Sequence, residues 1–402
     1  MRRPIVVVLM SLSCGGDTTT FVPQQTSIQL TPDRPQRPGA STAPDAGGAP
    51  GAGGVSGAGG APASVAEDAG APMAGGSAPG SVAAPDGGPR DAGAARVCDR
   101  FLPVPLPAGF GASTGTHLSG DGLLVVVNGA ASVAYAHRWQ QSNSMIALPP
   151  AEGEESAASA VDRDGSRIVG WGVGVSGRQA LLWDGSGVPT PLAELTGATA
   201  VSADGSIVLA SDARGFLRWN AGSVERISSL ATVNGMSADG RRLVGTDVAD
   251  AAVEDRAAID TGQGALFVGL PDELGSRATL ISEDGQVVVG TSIDGTAQVR
   301  VFRWQAGLTS IIDGLVEPYD VSADGSVIVG STSEQCGSSA GIWRQGRGAE
   351  NLGCRWAAIE PEGWQLLRTT SVSDDGRVVS GIGINPEQVL QSWVAVLGEV
   401  CP

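Results

Sequence analysis

The sequence predicts an all-β fold: a seven-bladed β-propeller of four-stranded antiparallel blades, preceded by a disordered linker. Three observations predict it. A phrase made of a hydroxyl residue or its stand-in, one variable residue, Asp-Gly and a β-branched run recurs seven times between residues 117 and 380. A tryptophan follows most copies at a near-constant distance. No stretch from residue 100 to 402 sustains a 3.6-residue apolar period, so helix should be minimal. Self-similarity at roughly 40 residues marks a repeat architecture, and four short strands per unit fit a propeller blade.

The copies read HLSGDGLLVVVNG, AVDRDGSRIVGWG, AVSADGSIVLASD, GMSADGRRLVGTD, LISEDGQVVVGTS, DVSADGSVIVGST and SVSDDGRVVSGIG. Their turn aspartates are Asp121, Asp164, Asp204, Asp239, Asp284, Asp324 and Asp375, spaced by 43, 40, 35, 45, 40 and 51 residues. Asp-Gly between β-branched runs signals a tight hairpin, because Gly takes φ > 0 without steric cost and Asp tolerates the left-handed region. Val and Ile in the following run suit pleated, half-buried positions. Trp139, Trp183, Trp219, Trp304, Trp343 and Trp393 lie 18, 19, 15, 20, 19 and 18 residues beyond their Asp and are expected to anchor the core between blades. The fourth unit has no such Trp, and Ile259 or Phe267 is expected in its place.

The ends of the chain suggest how the ring closes. Few residues follow Trp393, so the last blade lacks a full outer strand. The segment Phe101–Pro107 resembles the outer-strand segment Val188–Leu192 of the second blade. It is therefore expected to complete the last blade and so remove an exposed edge.

Residues 1–14 combine a basic start, a short apolar run and small residues before Cys14, the pattern of a secretion signal. Residues 15–97 are rich in Gly, Ala, Pro, Ser and Asp and cannot bury enough apolar surface to offset ordering entropy. They are expected to form a flexible tether. Residues 98–402 form the repeat domain. No run of 18 apolar residues is present to span a bilayer.

All 25 basic residues are Arg, which excludes Lys-dependent chemistry such as Walker-type loops and Schiff bases. The net charge of −17 disfavours nucleic acid and anionic lipid as partners. Besides Cys14 there are four cysteines, an even number that in an exported chain suggests two disulfides. In a meander of four strands, Cys98 and Cys401 fall at one face and Cys336 and Cys354 at the other. The expected pairs are Cys98–Cys401, stapling the ring, and Cys336–Cys354, pinning a surface loop.

Several catalytic patterns fail on context. Gly172, Gly174 and Gly177 match G-x-G-x-x-G, but a strand follows rather than the helix a dinucleotide site needs. Gly111, Ser113 and Gly115 match G-x-S-x-G without the strand-to-helix setting of a nucleophile elbow. The two histidines, His117 and His137, both fall at strand positions. Asp162-Arg-Asp164-Gly165 and Asp374-Asp375-Gly376 lack the fuller ligand series of a calcium loop. Glu154 with Glu155, and Glu360 with Glu362, read as solvated loop residues. No catalytic residue, metal or cofactor is predicted.

The longest repeat spacing places its excess at residues 353–365, which hold two tryptophans outside the repeat. Arg355, Trp356, Glu360, Glu362 and Trp364 are the candidate ligand-binding residues, since aromatic area with a few carboxylates suits a sugar or a peptide.

The AVSADGSxVVG phrase with its following Arg-Trp or Leu-Trp segment resembles the bacterial extracellular HAF-type repeat, over roughly residues 110–397. That resemblance implies a propeller-like extracellular protein and transfers no catalytic residues. Cys14 with Gly15 and Gly16 resembles a bacterial lipobox, although Ser11 stands where Leu is usual. The resemblance implies lipidation at Cys14 and a location on the outer membrane or cell surface, with the membrane contacted through the lipid alone. The functional expectation is a monomeric, non-enzymatic surface lipoprotein whose propeller binds a protein or glycan. The alternatives are a carbohydrate-active hydrolase or lyase and a purely structural envelope protein. An acid of strongly raised pKa in a pocket would favour the hydrolase.

Overall fold

The computed structural model describes residues 97–130, 134–140, 145–247, 255–271, 273–356 and 363–400, excepting the side chains of residues 97, 98, 399 and 400. The signal, the tether, Cys401, Glu360 and Glu362 lie outside the described residues, as does the Cys98 side chain. Seven four-stranded sheets form, all antiparallel. Blade 1 runs Ala112–Leu118, Leu124–Ala130, Ala134–Gln140 and Ile146–Leu148, here strands a to d. The a strands of blades 2 to 7 are Glu155–Val161, Gly197–Val201, Leu230–Met236, Gly275–Ile281, Glu317–Val321 and Gln365–Val372. Each contacts the a strand of the next blade, and that of blade 7 contacts blade 1, so the a strands form a closed inner ring. Among the described residues one short helix occurs, Leu352–Trp356.

The repeated turn has a specific chemistry. The serine Oγ donates to the aspartate Oδ1 two residues on, at 2.6 Å in blades 1, 3, 4 and 5. The same Oγ accepts the N–H five residues on, at 2.9–3.0 Å. The aspartate Oδ1 also accepts the N–H two residues beyond it, as at Ser206 and Ser326. Blade 2 has Asp162 in the serine place; it cannot donate as a carboxylate, and Ser166 Oγ donates to it instead at 2.9 Å. The turn glycine lies at φ near +70° in every blade. A Cβ there would strike strand b of the preceding blade: at Gly325 it would meet Val287 at 2.4 Å, and at Gly240 it would meet Ile207 at 2.7 Å. Glycine therefore serves both the backbone conformation and the blade-to-blade contact.

Apolar clusters sit between blades. One joins Leu124, Val126, Ala136 and Leu148 of blade 1 to Ala158, Ile168, Leu181 and Trp183 of blade 2. Trp183 is fully buried and donates its indole N–H to Pro149 O. In register the repeat tryptophans face the fourth residue after the turn aspartate: Trp139 opposite Val125, Trp183 opposite Ile168, Trp219 opposite Val208, Trp304 opposite Val288 and Trp343 opposite Ile328.

Trp393 is buried between blades 6 and 7 as expected, though at a shifted register, and the expectation for blade 4 is corrected. In blade 7 the register position belongs to Ala395, opposite Val379, while Trp393 pairs with Gly381 two residues further along the ladder. Gly381 leaves room for the displaced ring: a Cβ there would lie 2.4 Å from Trp393. In blade 4 neither Ile259 nor Phe267 takes the place. Asp260 stands there, opposite Leu243, and Ile259 is buried among residues of blades 4 and 5.

The seventh blade is built from both ends of the domain, in the order Val97–Pro103, Leu390–Val400, Val378–Ile384 and Gln365–Val372 from the outside inward. The closing strand thus lies slightly upstream of the expected Phe101–Pro107. Prolines 103, 105 and 107 lack an N–H, so the ladder ends where they begin to alternate.

Candidate functional site

Three places gather polar side chains beyond the needs of turns. The first is the segment chosen from sequence. Cys336, in the b–c turn of blade 6, and Cys354, in the short helix, form the expected disulfide. The helix places Arg355 and Trp356 against Asp99 of the closing strand. Asp99 accepts hydrogen bonds from Arg355 Nε and Nη2, from the Trp356 indole N–H at 2.8 Å and from Gly398 N at 2.9 Å. Burial alone would raise the Asp99 carboxyl, but the Arg355 and Trp356 bonds outweigh it and hold the group below its ordinary value. Phe101 of the closing strand packs edge-on to Trp356 and Trp364 at 5.8 and 5.3 Å, and stacks on Trp393 at 5.8 Å. Trp356 is 3% exposed. It is a core residue with its N–H committed, and Trp364 is half-buried beside it; the aromatic area read as a ligand platform is directed largely inward. Arg355 is likewise engaged, by Asp99 and by Glu350 at 3.0 Å.

The second place was missed in the sequence. The variable residues of the seven turns meet around the axis. Their backbones form a closed circuit: Asp121 N to Arg163 O, Arg163 N to Ala203 O, Ala203 N to Ala238 O, Ala238 N to Glu283 O, Asp284 N to Ala323 O, Ala323 N to Asp374 O and Asp374 N to Gly120 O. Seven such links at the ~4.8 Å spacing of paired backbones give a ring roughly 11 Å across. An arginine side chain can cross it, and Arg163 of blade 2 does so. It pairs with Glu283 of blade 5, and its Nε lies 2.7 Å from Asp374 Oδ2 of blade 7. Burial, with Asp374 adding repulsion, raises Glu283 against the pull of Arg163. The a–b face is therefore bridged across the ring. The sequence signal was present: the variable position is Gly or Ala in four units but Arg163, Glu283 and Asp374 in the other three.

Just behind this ring, Asp320 is pushed up to about 6, chiefly by burial. Its Oδ2 accepts Ser371 Oγ at 2.7 Å and Val372 N at 2.9 Å, and Ser371 Oγ accepts Leu118 N at 3.2 Å. The chain of contacts ties the inner strands of blades 6, 7 and 1. Raised acids thus occur, but Asp320 and Glu283 are each bound to protein partners rather than facing an open cleft.

The third place is the opposite end of the inner strands, on the d–a loop face. Glu317 is exposed there and accepts from Tyr319 Oη, whose oxygen accepts from Arg368 Nη1 at 3.3 Å. The Arg368 guanidinium carbon lies 5.2 Å from the Tyr319 ring centroid, and its Nε is buried without a partner. Trp364 directly precedes the strand that carries Arg368.

The remaining sequence candidates are structural. Ser113 bonds Ser392 Oγ at 3.1 Å within the seam between blades 1 and 7. Gly172, Gly174 and Gly177 occupy a strand-turn-strand hairpin. Burial lowers His117 to about 4, and His137 packs edge-on to Phe110 at 5.3 Å. Among the described residues no group of three or more His, Cys, Asp or Glu converges on a metal-sized site.

No protein-family model and no curated protein matches the chain. Among solved structures it is similar to a putative TolB from Agrobacterium tumefaciens, at 15% identity over 50% of this chain and 79% of that one, with a TM-score of 0.39. It is similar to TolB from Acinetobacter baumannii at 13% identity, over 70% of this chain and 66% of that one, TM-score 0.42. The β-propeller domain of the Trilobed protease from Pyrococcus furiosus matches at 12% identity over 72% of this chain and 94% of that one, TM-score 0.50. At such identities the likeness concerns the fold alone, and the last of the three carries it. That domain is described as having an open velcro topology. In this chain, by contrast, residues from both ends share blade 7.

Proposed function

We propose that the chain is a non-catalytic envelope binding module, lipidated at Cys14, whose propeller presents its d–a loop face to a protein or glycan partner. The observation that supports this orientation is the Arg163 bridge. With the a–b face spanned across the axis, the opposite face is the one whose inner strands carry an unspanned polar and aromatic group: Glu317, Tyr319 and Arg368. A half-buried tyrosine, an arginine with an unused donor and an exposed carboxylate form a recognition patch. Residues 15–97 would act as the tether, and Glu360 and Glu362 would stand at the rim. A Cys98–Cys401 bond would staple the ring, and the HAF-type repeat would be the family.

The test uses the full chain. Binding is measured on a glycan array and by affinity capture from detergent-solubilised envelopes, for the wild type, Arg368→Glu and Arg377→Gln beside the a–b turn of blade 7. A ligand retained by the wild type and Arg377→Gln but lost by Arg368→Glu supports the reading. If no ligand is lost by Arg368→Glu, the reading is overturned. Intact mass of the membrane-extracted protein, with and without Cys14→Ala, tests the anchor.

A further inference from the structure

Blade 4 departs from the repeat at one register, and a cavity opens where it does. In blades 1, 2, 3, 5 and 6 the position opposite the fourth residue after the turn aspartate holds a tryptophan that fills the space toward the preceding blade. Blade 4 holds Asp260 there. Between blades 3 and 4 lies a cleft of about 430 Å³, lined by Arg218, Glu225, Arg226 and Ser229 of blade 3 and by Arg241 and Asp260 of blade 4, with Leu243 at its floor. That volume falls within the ~300–1,000 Å³ range of small-molecule sites.

The lining is chemically biased. Three guanidinium groups line it: Arg226 is taken by Asp212 at 2.6 Å, whereas Arg218 and Arg241 are held only by exposed carboxylates, Glu225 at 3.0 Å and Asp239 at 3.9 Å. Arg218 donates Nη1 to Glu225 at 3.0 Å and Nη2 to Arg241 O at 3.4 Å, while its Nε is buried with no partner. A buried, unpaired donor on a charged group is costly and marks a place for an acceptor. Glu225 is 69% exposed, so its hold on Arg218 is weakened by solvent and open to competition. Asp260 accepts from Ser229 Oγ at 2.6 Å and from Gly262 N at 2.8 Å, which fixes its carboxylate in the cleft as an acceptor. Ser228 and Thr261 add hydroxyls, and apolar surface is sparse.

From this we infer that the cleft between blades 3 and 4 is a second binding site, taking a carboxylate-bearing sugar unit of the uronic acid class. Arg218 and Arg241 receive the carboxylate in place of their exposed partners, bidentate geometry favouring it over a neutral group. Asp260 and the hydroxyls receive the ring hydroxyls. The cleft runs from the Asp260–Gly264 turn of blade 4 to Ser228 and Ser229 in the loop between blades 3 and 4, and it shares no residue with the patch on blades 6 and 7 proposed above.

Isothermal titration of the full chain with digalacturonate, and with neutral galactobiose as control, tests the site. Digalacturonate is expected to bind and galactobiose not. Arg218→Ala and Arg241→Ala should each weaken binding at least tenfold. Asp260→Trp installs the residue of the other blades and should abolish binding with an unfolding midpoint no lower than the wild type's. Tyr319→Ala should leave the affinity unchanged. An absence of digalacturonate binding, equal binding of galactobiose, or undiminished binding by Asp260→Trp would each overturn the inference. So would loss of binding in Tyr319→Ala, by moving the site to the patch on blades 6 and 7, or binding of an acidic glutamate peptide in place of the sugar.

Discussion

At the residue scale, the turn glycine is where the repeat is least forgiving. Gly325 sits at φ 70°, and a Cβ there would lie 2.4 Å from Val287 of the preceding blade. Left-handed backbone costs a non-glycine residue about 1–2 kcal/mol, and overpacking adds about 1–3. Gly325→Ala should therefore lower unfolding free energy by about 2–4 kcal/mol in denaturant titration, whereas Ala at Gly346, with open space around it, should incur the backbone strain alone. Asp320 makes a pH prediction of unusual sign. Its folded pKa, about 6, lies above the ordinary carboxylate value, so the folded state holds its proton more tightly than the unfolded chain does. Stability from this group is full in acid and declines as pH rises from about 4 to about 6, by on the order of 3 kcal/mol. The turn aspartate Asp204 behaves oppositely: Ser202 and Ser206 hold it down to about 2, so its contribution is present above about pH 4 and lost toward pH 2. Asp320→Asn should remove the decline between pH 4 and 6 and leave the acid limb intact, as read from unfolding midpoints across pH; an unchanged profile would reject the assignment.

At the scale of elements, the closing strand and the short helix act as one clasp. The disulfide joins residues separated by 18 positions, which the chain-entropy account values at about 3 kcal/mol. It also fixes the helix that supplies Arg355 and Trp356 to Asp99. If the bond positions that grip, Asp99→Ala and the Cys336→Ser/Cys354→Ser pair should be coupled by more than about 0.5 kcal/mol in a double-mutant cycle, and amides of Val97–Pro103 should exchange faster in both. Additive losses would mean the disulfide merely shortens a loop. The clasp shows how far the sequence could be read. Spacing and Asp-Gly turns were enough for seven blades, because they are local chemistry repeated many times, and the four-strand meander then led to the shared last blade and to Cys336 with Cys354. Trp356 was legible as outside the repeat but not as buried, because its partner Asp99 lies 257 residues away in a segment without a motif. Asp260 was hidden for a related reason: offsets count residues along the chain, whereas register counts them across strands, and loops of unequal length separate the two.

At the scale of the molecule, the ring is fastened on the outside by the shared blade and on the inside by the backbone circuit with its Arg163 bridge. The inner fastening has an electrostatic weakness built in, since one cation serves two acids drawn from blades 5 and 7. Burial and Asp374 already raise Glu283, and Arg163 is the group that opposes them. Removing the guanidinium in Arg163→Ala leaves two carboxylates facing one another near the axis, so Glu283 must rise further. A folded pKa above the unfolded one means stability lost as pH rises through that interval. Arg163→Ala should therefore be closest to the wild type near pH 4, where the raised Glu283 is largely neutral, and fall progressively behind it toward pH 7. Added salt should recover part of the difference by screening the repulsion. Arg163→Lys, which keeps the charge but not the forked donor geometry, should recover more of the stability than Ala and less than Arg. Thermal unfolding of the three proteins at pH 4 and pH 7, with and without added salt, reads all of this at once. If Arg163→Ala were destabilised equally at both pH values, the side chain would be packing the mouth of the ring rather than balancing its charge, and the a–b face would be closed by bulk alone.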